Sequence, residues 1–106
     1  METLEVREII FADKFFDLIK AGIKTTTVRS GVREYANCRY NAYNPDKTYH
    51  MEIEITGTEI TKFGALTDGV AKTDGFNNVD ELKQELLSFY PDLTADSPVT
   101  IVRFKK

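Results

Sequence analysis

One stretch, residues 22–29, most strongly limits how this chain can fold. Before it, apolar residues between positions 12 and 21 recur at spacings of three and four, which predicts a helix with one apolar face. Gly22 stands where a left-handed residue would end that helix. Residues 25–28 are β-branched throughout and therefore favour a strand. A helix and a strand should thus meet at a junction that carries several hydroxyls and two cations, Lys24 and Arg29.

The direction of the side chains at this junction depends on one turn. In a fully extended segment, Lys24 and Thr26 would face one way and Thr27 and Arg29 the other. A bend after Gly22 would instead bring the Lys24 amine toward the Thr27 hydroxyl. The alternative is a threonine-rich strand edge with a solvated lysine.

Length and composition limit the class of protein. The 106 residues allow one hydrophobic core, so we expect a single domain over residues 1–106. There is no long apolar run and no leader-like start, which predicts a soluble, cytoplasmic protein. Cys38 is the only cysteine and His50 the only histidine, so we expect no metal, no cofactor and no disulfide within the chain. The oligomeric state stays open.

The charge is unevenly distributed. A net charge of −3 argues against a domain that coats duplex nucleic acid. Residues 20–39, however, hold five basic residues against one acidic residue, a net charge of +4. Such a patch favours a small anionic or polar ligand or a single nucleic-acid strand, unless the five side chains lie on several faces and never meet. The five are Lys20, Lys24, Arg29, Arg33 and Arg39.

Periodicity predicts the remaining elements. Strands are predicted at residues 4–10, 25–29, 38–43, 48–58 and 99–104. Helices are predicted at 12–21, at 66–72, and from a cap at Asn78 to a stop at Pro91. His50 falls on the polar face of its strand and should be exposed. The pattern indicates an α+β domain with a small, mixed, partly closed sheet.

Residues 22–29, Gly-Ile-Lys-Thr-Thr-Thr-Val-Arg, resemble the Gly-x-Lys-x-x-Thr-x-Arg motif of the ASCH domain, a PUA-like family. Segments at 60–66, 70–71, 74–82, 90–91 and 99–104 resemble the same family in the same order. The resemblance implies an α+β fold with a small mixed or antiparallel PUA-like β-barrel and flanking helices.

ASCH members of about this size resemble amidohydrolases that remove the acyl group from the exocyclic amine of acylated cytidine. The resemblance implies Lys24, Thr27 and Asp74 as the catalytic residues, with a modified nucleoside or nucleobase as the partner. Asp74 stands where the family usually has glutamate and is one methylene shorter. The alternative is that Asp74 is only a turn or helix-end residue before Gly75.

Binding without catalysis is the rival hypothesis. PUA-like domains often bind RNA, and the basic junction with a tyrosine could hold a single-stranded nucleotide. A ribonuclease using the same pocket is a third possibility. Lys24 separates the first two hypotheses, because an amidohydrolase needs it buried and partly neutral, whereas a phosphate-binding lysine stays exposed and charged. The expected substrate-binding residues are Thr26, Arg29, Arg33 and Tyr40.

Overall fold

A mixed five-stranded sheet forms the framework of the computed structural model, which describes residues 7–106. The strands are β1 (Glu8–Ile10), β2 (Thr26–Ser30), β3 (Arg39–Tyr43), β4 (His50–Lys62) and β5 (Pro98–Lys105). Their order across the sheet is β1-β3-β4-β5-β2. β1 runs parallel to β3, and the other neighbouring pairs are antiparallel. The strand predicted at residues 4–10 is confirmed at residues 8–10, and residues 4–6 lie outside the described part.

The longest strand, β4, joins the two halves of the sheet. Its first part pairs with β3 and its second part with β5, with a register shift between Ile55 and Gly57. Ile53 and Ile55 are buried and His50 is exposed, as the alternation predicts. β4 runs four residues past the predicted end at position 58, because β5 continues to supply backbone partners as far as Lys62.

Within residues 7–106, three α-helices accompany the sheet, namely α1 (Phe16–Lys20), α2 (Asp68–Thr73) and α3 (Val79–Phe89). A 3₁₀ turn leads into α1 and occupies the first part of the helix predicted at 12–21. The predicted cap of α3 is confirmed, since the Asn78 side chain accepts a hydrogen bond of 3.0 Å from the backbone N–H of Glu81.

The apolar core lies on both faces of β5. Val102 and Phe104 belong to a first cluster with α1, and Val99 and Ile101 to a second cluster with α2 and α3. Since successive side chains of a strand point to opposite faces, the clusters lie on opposite sides of the sheet. Burial in both clusters fixes the register of β5, because a slip by one residue would exchange its two faces.

The α+β class and the mixed sheet are confirmed, but the sheet is not closed into a barrel within residues 7–106. β1 and β2 are its two edges. β1 pairs with β3 on one side, and within the described residues no backbone ladder joins its other side to β2. The Arg29 guanidinium instead bridges the edges by donating from Nη2 to the carbonyl of Ile10, at 2.7 Å. In the same residue range, no helix is long and apolar enough to cross a membrane.

Candidate active site

A cavity of about 240 Å³ is lined by the end of β1, by β2 and by α3. Its size is just below the range of about 300–1,000 Å³ that is usual for small-molecule sites. The aromatic walls are Phe11, Phe15, Phe76, Phe89 and Tyr90. The charged and hydroxyl-bearing side chains that reach it from the junction and the helices are Lys24, Thr27, Arg29, Asp74 and Glu85.

Lys24 and Asp74 form a buried ion pair in this cavity, with exposed fractions of 2% and 3%. The Lys24 ammonium donates to the Asp74 carboxylate at Oδ1 and, at 3.0 Å, to the backbone carbonyl of the same residue. The ring of Phe15 lies 4.5 Å from Lys24 Nζ and adds a cation–π contact. Lys24 therefore meets the burial that an amidohydrolase requires.

Burial moves the pKa values of the two partners toward each other. It lowers the pKa of Lys24, although the Asp74 carboxylate opposes the change. It raises the pKa of Asp74 to about 6, although the Lys24 ammonium acts in the opposite direction. A proton can therefore pass between these two groups at a smaller energetic cost than in water.

The turn at Gly22 aims Lys24 into the cavity. Gly22 has a φ of +76°, and the backbone N–H groups of Ile23 and Lys24 both donate to the carbonyl of Leu18, at 2.9 and 3.1 Å. β2 therefore begins only at Thr26. As a result Lys24 lines the same cavity as Thr27, which strict alternation from position 24 would have prevented.

Asp74 is both a helix-end residue and a residue of the cavity, the two alternatives that its sequence position allows. It closes α2, where its backbone N–H donates to the carbonyls of Val70 and Ala71. Its side chain nevertheless binds Lys24 rather than the turn. Gly75 follows with a φ of +96°, and a Cβ there would lie 3.0 Å from a methyl group of Leu18. Gly75 thus lets the end of α2 approach the segment that carries Lys24.

Thr27 is placed beside a desolvated cation. Its hydroxyl oxygen accepts a hydrogen bond of 3.2 Å from Arg29 Nε, and Thr27 is 6% exposed. Burial lowers the pKa of Arg29, and the guanidinium packs 5.1 Å from the ring of Phe11. Within the described chain, no hydrogen bond joins the Lys24 amine to the Thr27 hydroxyl. The Thr27 proton remains available for donation because Arg29 uses only the oxygen.

The other three expected substrate-binding side chains do not reach this cavity. The Thr26 hydroxyl lies on the other face of β2, 3.1 Å from the hydroxyl of Thr73. Arg33 is exposed, and its Nε donates to the carbonyl of Ser30 at 2.8 Å. Tyr40 is buried in the first cluster, where its hydroxyl accepts from the backbone of Ala36. Only Arg29 of the four expected binding residues lines the cavity.

The basic patch seen in the sequence is not one surface. Lys24 and Arg29 line the cavity, whereas Lys20, Arg33 and Arg39 are exposed outside it. Sequence reasoning also missed Glu85, which faces the cavity from α3. The sequence did contain an indication of this position. Positions 82, 85, 86 and 89 follow the i, i+3, i+4, i+7 spacing of an apolar helix face, and Glu85 places a carboxylate within that face.

Comparison with known proteins gives the family. An N(4)-acetylcytidine amidohydrolase of Citrobacter koseri is 30% identical to this chain over 95 residues, which is 86% of this chain and 90% of that protein. The chain belongs to the N(4)-acetylcytidine amidohydrolase family. A family member from Klebsiella pneumoniae is 25% identical over 107 residues, covering 97% of this chain and 99% of the relative. No protein-family profile matches the chain.

Solved structures agree with this family at the level of the fold. An ASCH domain from Lactobacillus crispatus superimposes with a TM-score of 0.78 at 16% identity, over 94% of this chain and 78% of that one. A protein from Enterococcus faecalis gives a TM-score of 0.75 at 17% identity, over 99% and 78% of the two chains. The sequence relatives and this shared ASCH fold together confirm the expected resemblance to the small ASCH-type acetylcytidine amidohydrolases.

Proposed function

We propose that this family member is an amidohydrolase that removes the acyl group from the exocyclic amine of acylated cytidine. The observation that carries the proposal is the buried pair of Lys24 and Asp74 in one cavity with Thr27. They supply the lysine, the threonine and the carboxylate that the family resemblance implies for this reaction. The names of the relatives support the choice of an acylated cytidine as substrate.

Thr27 would act as the nucleophile. Its hydroxyl proton passes to the Lys24 amine while Lys24 passes a proton to the Asp74 carboxylate, and the Thr27 oxygen bonds to the amide carbon. The raised pKa of Asp74 suits it to hold this proton. Negative charge develops on the carbonyl oxygen in a cavity that the Arg29 cation lines. The distance from Lys24 to Thr27 would have to shorten in the substrate complex, as catalytic hydrogen bonds often do.

The same pair would return the proton to the leaving group. The carbon–nitrogen bond breaks, the cytosine amine takes the proton through Lys24, and cytidine leaves an acyl ester on Thr27. Water then attacks the ester and gives one proton to the pair, which protonates the Thr27 oxygen as the carboxylic acid departs. Each cycle consumes one water and restores both Lys24 and Asp74.

The burial of Lys24 favours catalysis over simple RNA binding. A lysine that contacts phosphate should be exposed and charged, whereas Lys24 is 2% exposed and its pKa is lowered by burial. Arg33 and Arg39, which a nucleotide-binding patch would need, lie outside the cavity. The cavity is also small, which suits a nucleobase better than an extended strand.

The test is hydrolysis of N4-acetylcytidine by the purified protein, followed by the absorbance change as cytidine forms. Lys24→Ala should abolish turnover, because it removes the group that carries the proton. Lys20→Ala is the matched control, because Lys20 is an exposed lysine four residues earlier, and this variant should retain turnover. Circular dichroism would show that both variants are folded.

Two outcomes would contradict the proposal. The first is absence of turnover by the unmodified protein with acetyl and longer acyl groups. The second is equal turnover by folded Lys24→Ala and Lys20→Ala. Titration with single-stranded RNA would then test the rival binding function.

A further inference from the structure

Glu85 presents a carboxylate to the cavity that the proposed mechanism does not use. It lies on α3, and its side chain is 18% exposed. Its Oε1 accepts a hydrogen bond of 2.8 Å from the Lys14 ammonium. Within residues 7–106, no protein group donates to the other oxygen, Oε2. Lys14 therefore holds the carboxylate in place through Oε1, and Oε2 can still accept a hydrogen bond from a ligand.

The neighbourhood of Glu85 favours a ligand that donates a hydrogen bond. Leu82, Leu86 and Phe89 flank it along the cavity side of α3, so few other polar groups compete there. The Asp74 carboxylate already serves the proposed proton relay, since Lys24 donates to its Oδ1 and to the backbone carbonyl of the same residue. Lys24, Thr27 and Arg29 come from β2 and the turn before it, whereas Glu85 comes from α3. The donors and this acceptor therefore enter the cavity from different elements.

The geometry of an amide fits this division. In a planar trans amide the C=O and N–H bonds point in opposite directions. Attack by Thr27 requires the carbonyl carbon beside the Thr27 oxygen, with the carbonyl oxygen toward the cations. The N–H of the same amide then points away from Lys24 and Arg29, and an acceptor on α3 could bind it.

We propose that Glu85 is a specificity-determining residue, whose free carboxylate oxygen accepts a hydrogen bond from the N–H of the amide that is cleaved. This inference rests on the proposed function. It predicts that the substrate must be a secondary amide, so that an acylated amine which also carries a methyl group on the same nitrogen is a poor substrate. Glu85 would thus distinguish substrates by whether the amide nitrogen carries a hydrogen, and it would not distinguish them by their acyl group.

The test compares N4-acetylcytidine with N4-acetyl-N4-methylcytidine, which lacks the N–H. The variant is Glu85→Gln. Its amide oxygen is the only side-chain atom that can accept the hydrogen bond from the Lys14 ammonium, so the NH₂ group should face the cavity and offer a donor instead of an acceptor. We expect the ratio of the two kcat/KM values to fall by at least about tenfold in Glu85→Gln. The loss should come from the secondary amide, chiefly as a higher KM.

The matched control is Glu81→Gln, which makes the same charge change on α3 at an exposed position one turn earlier. Its ratio should equal that of the unmodified protein. An unchanged ratio in folded Glu85→Gln, while the unmodified protein hydrolyses N4-acetylcytidine, would overturn this inference and leave the proposed function intact. Failure of the unmodified protein to hydrolyse N4-acetylcytidine would overturn both.

Discussion

At the scale of single residues, the proposed catalysis explains the buried pair of Lys24 and Asp74 better than stability does. Removing two charges from water costs several kcal/mol each, and their attraction seldom returns more than that. An apolar pair of similar volume would often be at least as stable. The ion pair is therefore best explained by the proton that it can hold and release beside Thr27.

Removal of one partner should be costly. Asp74→Ala leaves the Lys24 amine buried with neither a carboxylate nor a side-chain acceptor, and we expect a loss of about 3 kcal/mol in the free energy of unfolding. Adding Lys24→Met removes the unpaired amine, so the double variant should lose clearly less than the sum of the two single variants. Urea unfolding of the four proteins measures this, and additive losses would show that the two groups are not coupled.

The pKa of Asp74 predicts an acid limit to activity. The proposed relay needs the carboxylate form, which is lost as the pH falls through about 6. The value of kcat/KM should therefore fall about tenfold for each pH unit well below 6, and be independent of this group well above it. A profile that stays flat down to pH 5 would be inconsistent with Asp74 as the proton acceptor.

The same shift predicts how stability depends on pH. The folded-state pKa of about 6 lies above the ordinary value of 3.8, so the folded protein binds this proton more tightly than the unfolded chain does. The contribution to stability is complete below pH 3.8 and is lost as the pH rises through 6. Relative to Asp74→Asn, the unmodified protein should gain on the order of 1 kcal/mol per pH unit on acidification from pH 6 to 4. The midpoints of urea unfolding of the two proteins across this pH range test the sign of this difference in stability.

At the scale of elements, two glycine turns position the pair. Gly22 ends the α1 region with a φ of +76° and open space around it, whereas Gly75 has a φ of +96° and lies against Leu18. Gly22→Ala should cost about 1 kcal/mol through backbone strain alone. Gly75→Ala should cost more and should also lower kcat, because it displaces the adjacent Asp74. Equal losses of stability with unchanged kcat would argue that Gly75 does not position Asp74.

The elements also show how far the sequence could be interpreted. Alternation predicted the buried face of β4, and the cap at Asn78 predicted the start of α3, because both depend on local periodicity and hydrogen bonding. Barrel closure, which the family resemblance implied, is absent from the described residues, where β1 and β2 remain the two edges of the sheet. Strand pairing between distant segments is not encoded in local patterns.

The site divides in the same way. The bend at Gly22 was recognisable as a condition for Lys24 to approach Thr27, but whether it occurs depends on contacts with Leu18. The contact between Lys24 and Asp74 spans 50 positions and came from family resemblance alone. Tyr40 and Arg33 were expected at the site from residue type, yet core packing and loop hydrogen bonds take them elsewhere.

At the scale of the whole molecule, the cavity occupies the place where a closed barrel would join its edges. β1 and β2 are linked there by the Arg29 side chain instead of a backbone ladder. Residues from both apolar clusters line the cavity, among them Phe11 and Phe15 on one side and Leu82 and Leu86 on the other. A bound nucleoside would therefore contact both halves of the core.

Product binding should stabilise the entire fold. A ligand that binds only the folded state raises the free energy of unfolding by about 2.7 kcal/mol at 100 times its Kd. Cytidine should thus raise the midpoint of thermal unfolding with increasing concentration, and ribose at the same concentrations should not. Equal midpoints with cytidine and ribose would speak against a nucleobase in this cavity.

The most direct measurement compares two neighbouring hydroxyls of β2. Thr27→Val and Thr26→Val make the same chemical change at adjacent buried positions, one inside the cavity and one on the other face of the strand. With N4-acetylcytidine as substrate, folded Thr27→Val should show no turnover above background, whereas Thr26→Val should keep a rate close to that of the unmodified protein. Turnover by Thr27→Val equal to that of Thr26→Val would contradict a nucleophilic Thr27 and the mechanism built on it.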